Sequence, residues 1–378
     1  MHILKIPSFF PPMGGRFCLE QARALQAEGN TVRILACVQL GASVAGGLFF
    51  TARQGRLWEE TDGVEVYRSY MRAVPRCIRH NQRRWCRIVE EMYDDYKRRC
   101  GRPDILHAHC CQWAGVAART IAAREGIPYV VTEHNPSGIW EASYGKGWTR
   151  AEWARRLLRD TYEHAGRVIP VSQELVDDIA PFFGRSYAST PVSNIIDTDF
   201  FACRPRERKE GHPFRFCCLA VGDVYRKGFD VLAEAMKGQA DTELHIAGRG
   251  TDSEEMRRLF AGSGQVIFHG ELDKRGVRDL LYSSDALVLA SRSEAQPLVI
   301  MEAVCTGIPA VTTYLPAGLP REAPFLLAEK GDVASLRRRM EEARRAEPDP
   351  EACEKLRDFV SPRTVARQIM KVYEEVIT

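Results

Sequence analysis

The sequence predicts an α/β protein of two domains, each a parallel sheet covered by helices. Three observations carry this. Short apolar, β-branched runs alternate with amphipathic helical patterns along the chain, as expected of parallel sheets joined by crossover helices. The runs are nearly continuously apolar, as strands are when both sheet faces are covered. The length, 378 residues, exceeds the roughly 250–300 that one hydrophobic core supports.

The elements follow in order. Strand candidates in the first half are HILKI (2–6), TVRILACV (31–38), ILHAH (105–109), YVVTEH (129–134) and RVIPVS (167–172). Those in the second half are FRFCCLAVG (214–222), ELHIAG (243–248), QVIFHG (265–270), ALVLAS (286–291) and AVTT (310–313). Helical patterns lie between them, among them FCLEQARALQAEG, VAARTIAAREG, GFDVLAEAMKG and VRDLLYSS. The alternation breaks once, at the charged, proline-containing DTDFFACRPRERKEGHPF (197–214). We read this as the link between domains. The expected division is 1–193, 194–359, and a C-terminal helix, 360–378, returning to the first domain. Two such domains would face each other across a cleft, with chemistry at the C-terminal ends of strands.

Charge and composition exclude several classes. Lys plus Arg number 53 and Asp plus Glu 50, a net +3, so no nucleic-acid partner is expected. The total conceals a basic stretch: residues 68–102 hold eleven Lys/Arg against four acids. An amphipathic basic segment can sit on anionic lipid; an ordinary solvated helix is the other reading. No apolar run reaches about 18 residues, so no spanning helix is expected. The N-terminus, MHILKIPSFFPPMGG, does not resemble a signal peptide, which makes the expected location cytoplasmic, peripheral on the inner membrane face if the basic stretch binds lipid. The 12 cysteines include no CxxC pair, so buried reduced thiols are expected rather than disulfides.

Several residues could carry chemistry. Gly14 and Gly15 separate the first strand from a helix, where glycine lets backbone approach a ligand and the helix N-terminus offers N–H groups to an anion; a plain tight turn is the alternative. No GxGxxG occurs, so a nicotinamide or flavin cofactor is not supported. His107 and His109 share a strand face, but no second ligand pair at zinc spacing accompanies them. His134 ends a strand, where an imidazole can be structural or can serve a cleft. Lys227 precedes a helix, a position the helix dipole disfavours unless an anion binds there too. Asp197 and Asp199 form a DxD, but at the domain junction, and no metal site is expected. The sharpest signal is Glu294 and Glu302, eight apart in SRSEAQPLVIMEAVCTGIPAV. Glu302 falls in an apolar helix, where a carboxylate needs hydrogen-bond partners; sugar hydroxyls are good ones.

In this order and spacing, these motifs resemble glycosyltransferase family 4, with its GT-B fold of two Rossmann-like domains. The resemblance covers essentially the whole chain: Gly14-Gly15, DILHAH, VTEHN, VSQEL, NIIDTDFF, VGDVYRKGFDVLAEA, HIAGRG, VIFHGEL and the Glu294–Glu302 segment followed by GIP. It implies an acceptor-binding first domain and a nucleotide-sugar-binding second domain. It also implies retaining, metal-independent transfer of a hexose-type sugar from a UDP- or GDP-sugar to a glycan or lipid-linked acceptor, in cell-envelope polysaccharide assembly. By the match, Glu302 would bond the ribose hydroxyls and Glu294 the donor sugar, with Gln296, Pro297 and Leu298 beside them. Lys227 would neutralise the diphosphate, which Gly15 lets the first loop approach. His134 would orient the donor sugar and stabilise the transition state. Gly14, His109 and Arg16 would line the acceptor side or cleft. Where the family places an arginine, this chain has Asp223; Arg226 is the expected replacement. The usual GGxPE segment is PAGLPRE here, leaving only Gly318 to carry over. An epimerase or a phosphorylase on the same fold, and an inactive binding protein, are the alternative readings.

Overall fold

The computed structural model describes the chain apart from residues 43, 44, 54, 145–150, 205–210, 240, 317, 321, 347 and 348. Part of the segment read as a linker therefore lies outside the described residues. The chain packs as two units, Met1–Ile195 with Pro362–Thr378, and Ile196–Ser361.

The first unit holds a seven-stranded sheet. Its strands are β1 (His2–Pro7), β2 (Thr31–Leu40), β3 (Arg56–Thr61), β4 (Val64–Arg72), β5 (Ile105–His109), β6 (Tyr129–Glu133) and β7 (Arg167–Pro170), in the order β3-β4-β2-β1-β5-β6-β7. All pairings are parallel except β3 with β4. That antiparallel hairpin corrects the expectation of a wholly parallel sheet. The helix Arg16–Ala27 buries Cys18, Leu19, Ala22 and Leu25, and the C-terminal helix Pro362–Ile377 adds Val365, Ile369, Val372 and Tyr373 to the same core. The final helix thus belongs to the first unit although the second precedes it in sequence.

β3 and β4 escaped the sequence reading because charge interrupts their hydrophobic pattern. The charge is satisfied internally. Arg68 is 5% exposed; its Nε donates to Glu59 Oε1 at 2.6 Å, and its guanidinium also reaches Pro11 O. Arg72 donates to the carbonyls of Phe49, Phe50 and Ala52. The stretch 68–102 is therefore not one basic segment. It is the end of a strand followed by the helix Ile78–Cys100, which buries Trp85, Val89, Met92, Tyr93 and Tyr96. The exposed basic residues fall into two groups at the two ends of that helix: Arg76, Arg79, Arg83, Arg84 and Arg87 at the first, and Lys97, Arg98, Arg99 and Arg102 at the second.

The second unit holds six parallel strands: β8 (Phe214–Leu219), β9 (Thr242–Ala247), β10 (Gln265–Gly270), β11 (Ala286–Leu289), β12 (Ala310–Thr312) and β13 (Phe325–Leu327), in the order β10-β9-β8-β11-β12-β13. β13, only three residues long, is a third strand that the sequence pattern did not reveal. The apolar run LVIMEAVC forms the helix Leu298–Cys305, with Ile300, Met301, Ala303, Val304 and Cys305 buried. In each sheet the strand order reverses once, between β1 and β5 and between β8 and β11. A crevice opens at the C-terminal ends of strands where order reverses, and ligands of open α/β sheets bind there. All twelve cysteines are free, and nine are buried. Among the described residues no helix is long and apolar enough to cross a membrane.

Candidate active site

Both reversal points carry residues singled out above, and both use the same backbone device. After β1 the chain loops through Ser8–Gly14 and enters a helix at Gly15, φ +79°; a Cβ there would sit 2.0 Å from Phe9 O. After β8 it loops through Asp223–Lys227 and enters the helix Phe229–Met236 at Gly228, φ +67°; a Cβ there would sit 1.9 Å from Ala290 O. Neither helix has a side-chain cap, but the Phe229 N–H of the second donates to Val224 O at 3.0 Å, so the helix entered at Gly15 has the more open N-terminus toward an anion. The Gly15 contact shows that this glycine is first required by its own loop. Gly14 is left-handed with open space around it.

At the second reversal point charge dominates. Lys227 Nζ donates to Glu294 Oε1, and both side chains are nearly buried, 12% and 11% exposed. The sequence places these residues 67 apart; β8 and β11 bring them together. Arg226 does not join them. Its Nε and backbone N donate to Asp223 at 3.0 and 2.9 Å, and its side chain stays 37% exposed. Arg292, which the sequence reading passed over, makes the stronger arrangement. It grips Asp230 through both carboxylate oxygens at 2.7 Å and donates to Tyr225 O at 2.7 Å. Its hydrogen bonds hold the Asp230 carboxyl below the usual range. Arg292 thereby clamps the loop carrying Lys227 to the end of β11. Gln296 and the buried Pro297 lead into the helix that begins at Leu298, and Glu302 lies one turn inside it, half-buried. Gly318 is left-handed in open space.

At the first reversal point the groups are neutral and stacked. His109 closes β5, and His134 follows β6 directly. His109 Nδ1 lies 3.3 Å from His134 Nε2, with the rings 13° from parallel. Phe17 stacks on His134 with centroids 3.7 Å apart. Burial first, then the Lys5 ammonium, holds both imidazoles well below their ordinary pKa, so both are neutral. Glu133 fixes the backbone. Its buried carboxylate accepts from the N–H groups of Cys111, His134 and Asn135 at 2.9–3.0 Å and from Tyr162 Oη at 2.6 Å. Cys110 and Trp113, in the turn after β5, adopt positive φ of 67° and 70°, strain that clusters at functional sites. Arg16 stands apart, in an exposed ion pair with Asp62 at 3.0 Å.

The remaining candidates disperse. Asp197 accepts from Lys274 Nζ at 2.8 Å and from Phe200 N, so half of the DxD serves the local turn. Among the described residues no three His, Cys, Asp or Glu converge as a metal site.

Two parallel-sheet domains, each with polar groups gathered where strand order reverses, define a GT-B-type glycosyltransferase. The comparisons agree. Residues 14–194 match the glycosyl transferase 4-like domain, and residues 215–344 match glycosyl transferases group 1. Between them the two matches cover most of the chain, which belongs to the group 1, 4-like glycosyltransferases. TuaC of Bacillus subtilis, assigned to teichuronic acid biosynthesis as a glycosyltransferase, is 27% identical over 83% of this chain and 81% of its own. Among solved structures, sucrose-phosphate synthase from Thermosynechococcus elongatus superposes with a TM-score of 0.76 at 16% identity, over 99% of this chain and 98% of its own. HepE of Anabaena, solved with UDP and glucose, gives 0.67 at 15% identity, over 98% and 99%. At such identities these two structures speak for the fold.

Proposed function

We propose that this enzyme is a retaining, metal-independent glycosyltransferase moving a hexose-type sugar from a UDP- or GDP-sugar to a glycan or lipid-linked acceptor in cell-envelope polysaccharide assembly. The observation that carries the reading is the nearly buried Lys227–Glu294 pair at the β8/β11 reversal point. A buried ion pair repays its desolvation poorly on its own. A donor gives each partner a better one: the diphosphate takes the ammonium, and the sugar hydroxyls donate to the carboxylate. Glu302 bonds the ribose hydroxyls. The helix beginning at Leu298, which has no side-chain cap, turns its N-terminal dipole to negative charge. Fixed cations and dipoles aimed at a diphosphate leaving group lower the barrier to its departure. His134 contributes orientation and a hydrogen bond to the donor sugar. UDP and glucose bound to HepE and the teichuronic acid assignment of TuaC support the donor and the setting. A lipid-linked acceptor suits the exposed arginines between Arg76 and Arg87. Low-salt sedimentation with anionic vesicles tests that part, and no lipid-dependent pelleting refutes it.

The central test is a thermal-shift panel of UDP, GDP and ADP, followed by sugar nucleotides and the anomeric configuration of the product. A nucleoside diphosphate shift and a retained anomer are expected. No response to any nucleotide refutes the transferase reading, product inversion refutes retention, and turnover abolished by EDTA refutes metal independence. Release of an epimerised sugar without an acceptor would favour the epimerase.

A further inference from the structure

The buried polar groups of the first sheet form a ladder. Lys5 of β1 lies in register with His107 of β5, and His109, Thr132 and His134 follow on the same face. Lys5 is fully buried; its Nζ donates to Gln21 Oε1 at 3.0 Å and approaches His107 Nδ1 at 3.3 Å. The Tyr373 hydroxyl lies closer to the same nitrogen, at 2.5 Å. An ammonium only donates, so with Lys5 and Tyr373 both facing it His107 Nδ1 accepts, and its Nε2–H donates to Thr132 Oγ1 at 2.6 Å. His109 stacks on His107 with centroids 4.6 Å apart. Its Nδ1 meets His134 Nε2, while its own Nε2 is buried with no partner.

Two tautomer assignments fit the 3.3 Å contact, and they differ in what is left orphaned. If His134 donates, His109 must carry its proton on Nε2, leaving a buried N–H without an acceptor. If His109 donates through Nδ1–H, its Nε2 is only an unfilled acceptor. Orphaned buried N–H groups are rarer than under-used acceptors. The second assignment is therefore favoured. It leaves His134 with its proton on Nδ1, the nitrogen that has no partner among the described residues.

We propose that His109 is a positioning residue that donates from Nδ1 to His134 Nε2, fixing His134 as a hydrogen-bond donor through Nδ1–H toward a substrate oxygen. This replaces the expectation that His109 itself lines the acceptor side. Phe17 sets the plane of the His134 ring and Glu133 its backbone; His109 sets which nitrogen carries the proton. The role toward substrate rests on the donor-sugar reading of His134, whereas the tautomer does not.

Two experiments separate these. Long-range 1H–15N spectra of the full chain labelled in histidine, with His134 assigned by loss of its signals in His134→Phe, should show Nδ1 protonated and Nε2 bare at pH 7.5. The opposite tautomer overturns the proposal whether or not any activity has been found. Kinetics then use three variants. His109→Asn places an amide N–H near the position of Nδ1, His109→Gln places it near Nε2, and His109→Leu places none. His109→Leu and His109→Gln should lose about 100-fold in kcat with little change in donor KM, as small misplacements at a reacting centre do, and His109→Asn should restore most of the loss. Equal losses in all three, tracking their melting temperatures, overturn the proposal in favour of a packing role. A wild-type chain with the expected tautomer but no transfer from any sugar nucleotide refutes the function proposed above and leaves the tautomer standing.

Discussion

The two reversal points share one backbone plan and differ in what they put on it. Each has a helix entered at a left-handed glycine where a Cβ would collide with a backbone carbonyl, that of Phe9 in its own loop at the first and that of Ala290 after β11 at the second. In the second unit the surrounding side chains are paired ions: Lys227 with Glu294, Arg226 with Asp223 and Arg292 with Asp230. In the first they are neutral rings, Phe17, His134 and His109, backed by a buried carboxylate. Ions that can change partner suit a highly charged ligand, and stacked neutral groups suit orientation. Under the function proposed above, one architecture divides two tasks by composition alone, which is why fold by itself does not define function.

The comparison breaks most visibly at Glu294. Glu294→Gln should lower kcat about 1,000-fold in a donor assay while the melting temperature stays close to wild type. The loss should be non-additive with Lys227→Gln, because the two act as a pair. Near-additive losses would show that the pair is incidental. Next come the glycines. Gly228→Ala must displace backbone at Ala290 and should abolish the nucleotide-induced thermal shift; Gly15→Ala should leave that shift in place while lowering turnover. Identical outcomes would erase the division of tasks.

A smaller effect distinguishes the arginines. Arg292→Ala removes three hydrogen bonds and should weaken nucleotide binding about tenfold, roughly 1.4 kcal/mol. Arg226 sits in an exposed pair of the kind worth about 1 kcal/mol or less. If Arg226→Ala weakens binding more than Arg292→Ala, Arg226 meets the diphosphate as the sequence suggested. The smallest effect concerns Lys5, whose pKa burial lowers to about 8 from 10.5. Between these values the unfolded chain binds the extra proton, so stability rises with pH from about 8 toward 10.5 through this group. Urea unfolding at pH 8 and 9.5 should show that rise in wild type relative to Lys5→Met. Equal pH slopes would mean that Lys5 keeps its proton in the core across this range, its pKa not lowered by burial.

Much of this was legible beforehand, for identifiable reasons. Ten strands declared themselves as unbroken apolar runs, because both faces of those strands are covered. β3 and β4 did not, because their charges are neutralised only by residues such as Glu59 and by the carbonyl of Pro11. β13 is too short for a pattern. In the site, Glu294, Lys227 and His134 stood out as polar groups at the ends of apolar strands or the mouths of helices. Arg292 did not, since a basic residue in a polar loop has no unusual pattern until Asp230 and Tyr225 are folded around it. Glu133 was visible beside His134 but not its function, which depends on donors from two strand ends and Tyr162.

By itself, the sequence determined what depends on local chemistry: alternation of strand and helix, glycines at helix entries, and polar residues where apolar strands stop. The tertiary structure decided everything that depends on pairing. It set Lys227 against Glu294, held Arg292 to Asp230, divided the basic stretch between a strand and a helix, and aligned His109 with His134. Pairing energies arise between residues distant in the chain and vary steeply with separation and burial, so composition and spacing could nominate these groups but could not choose their partners.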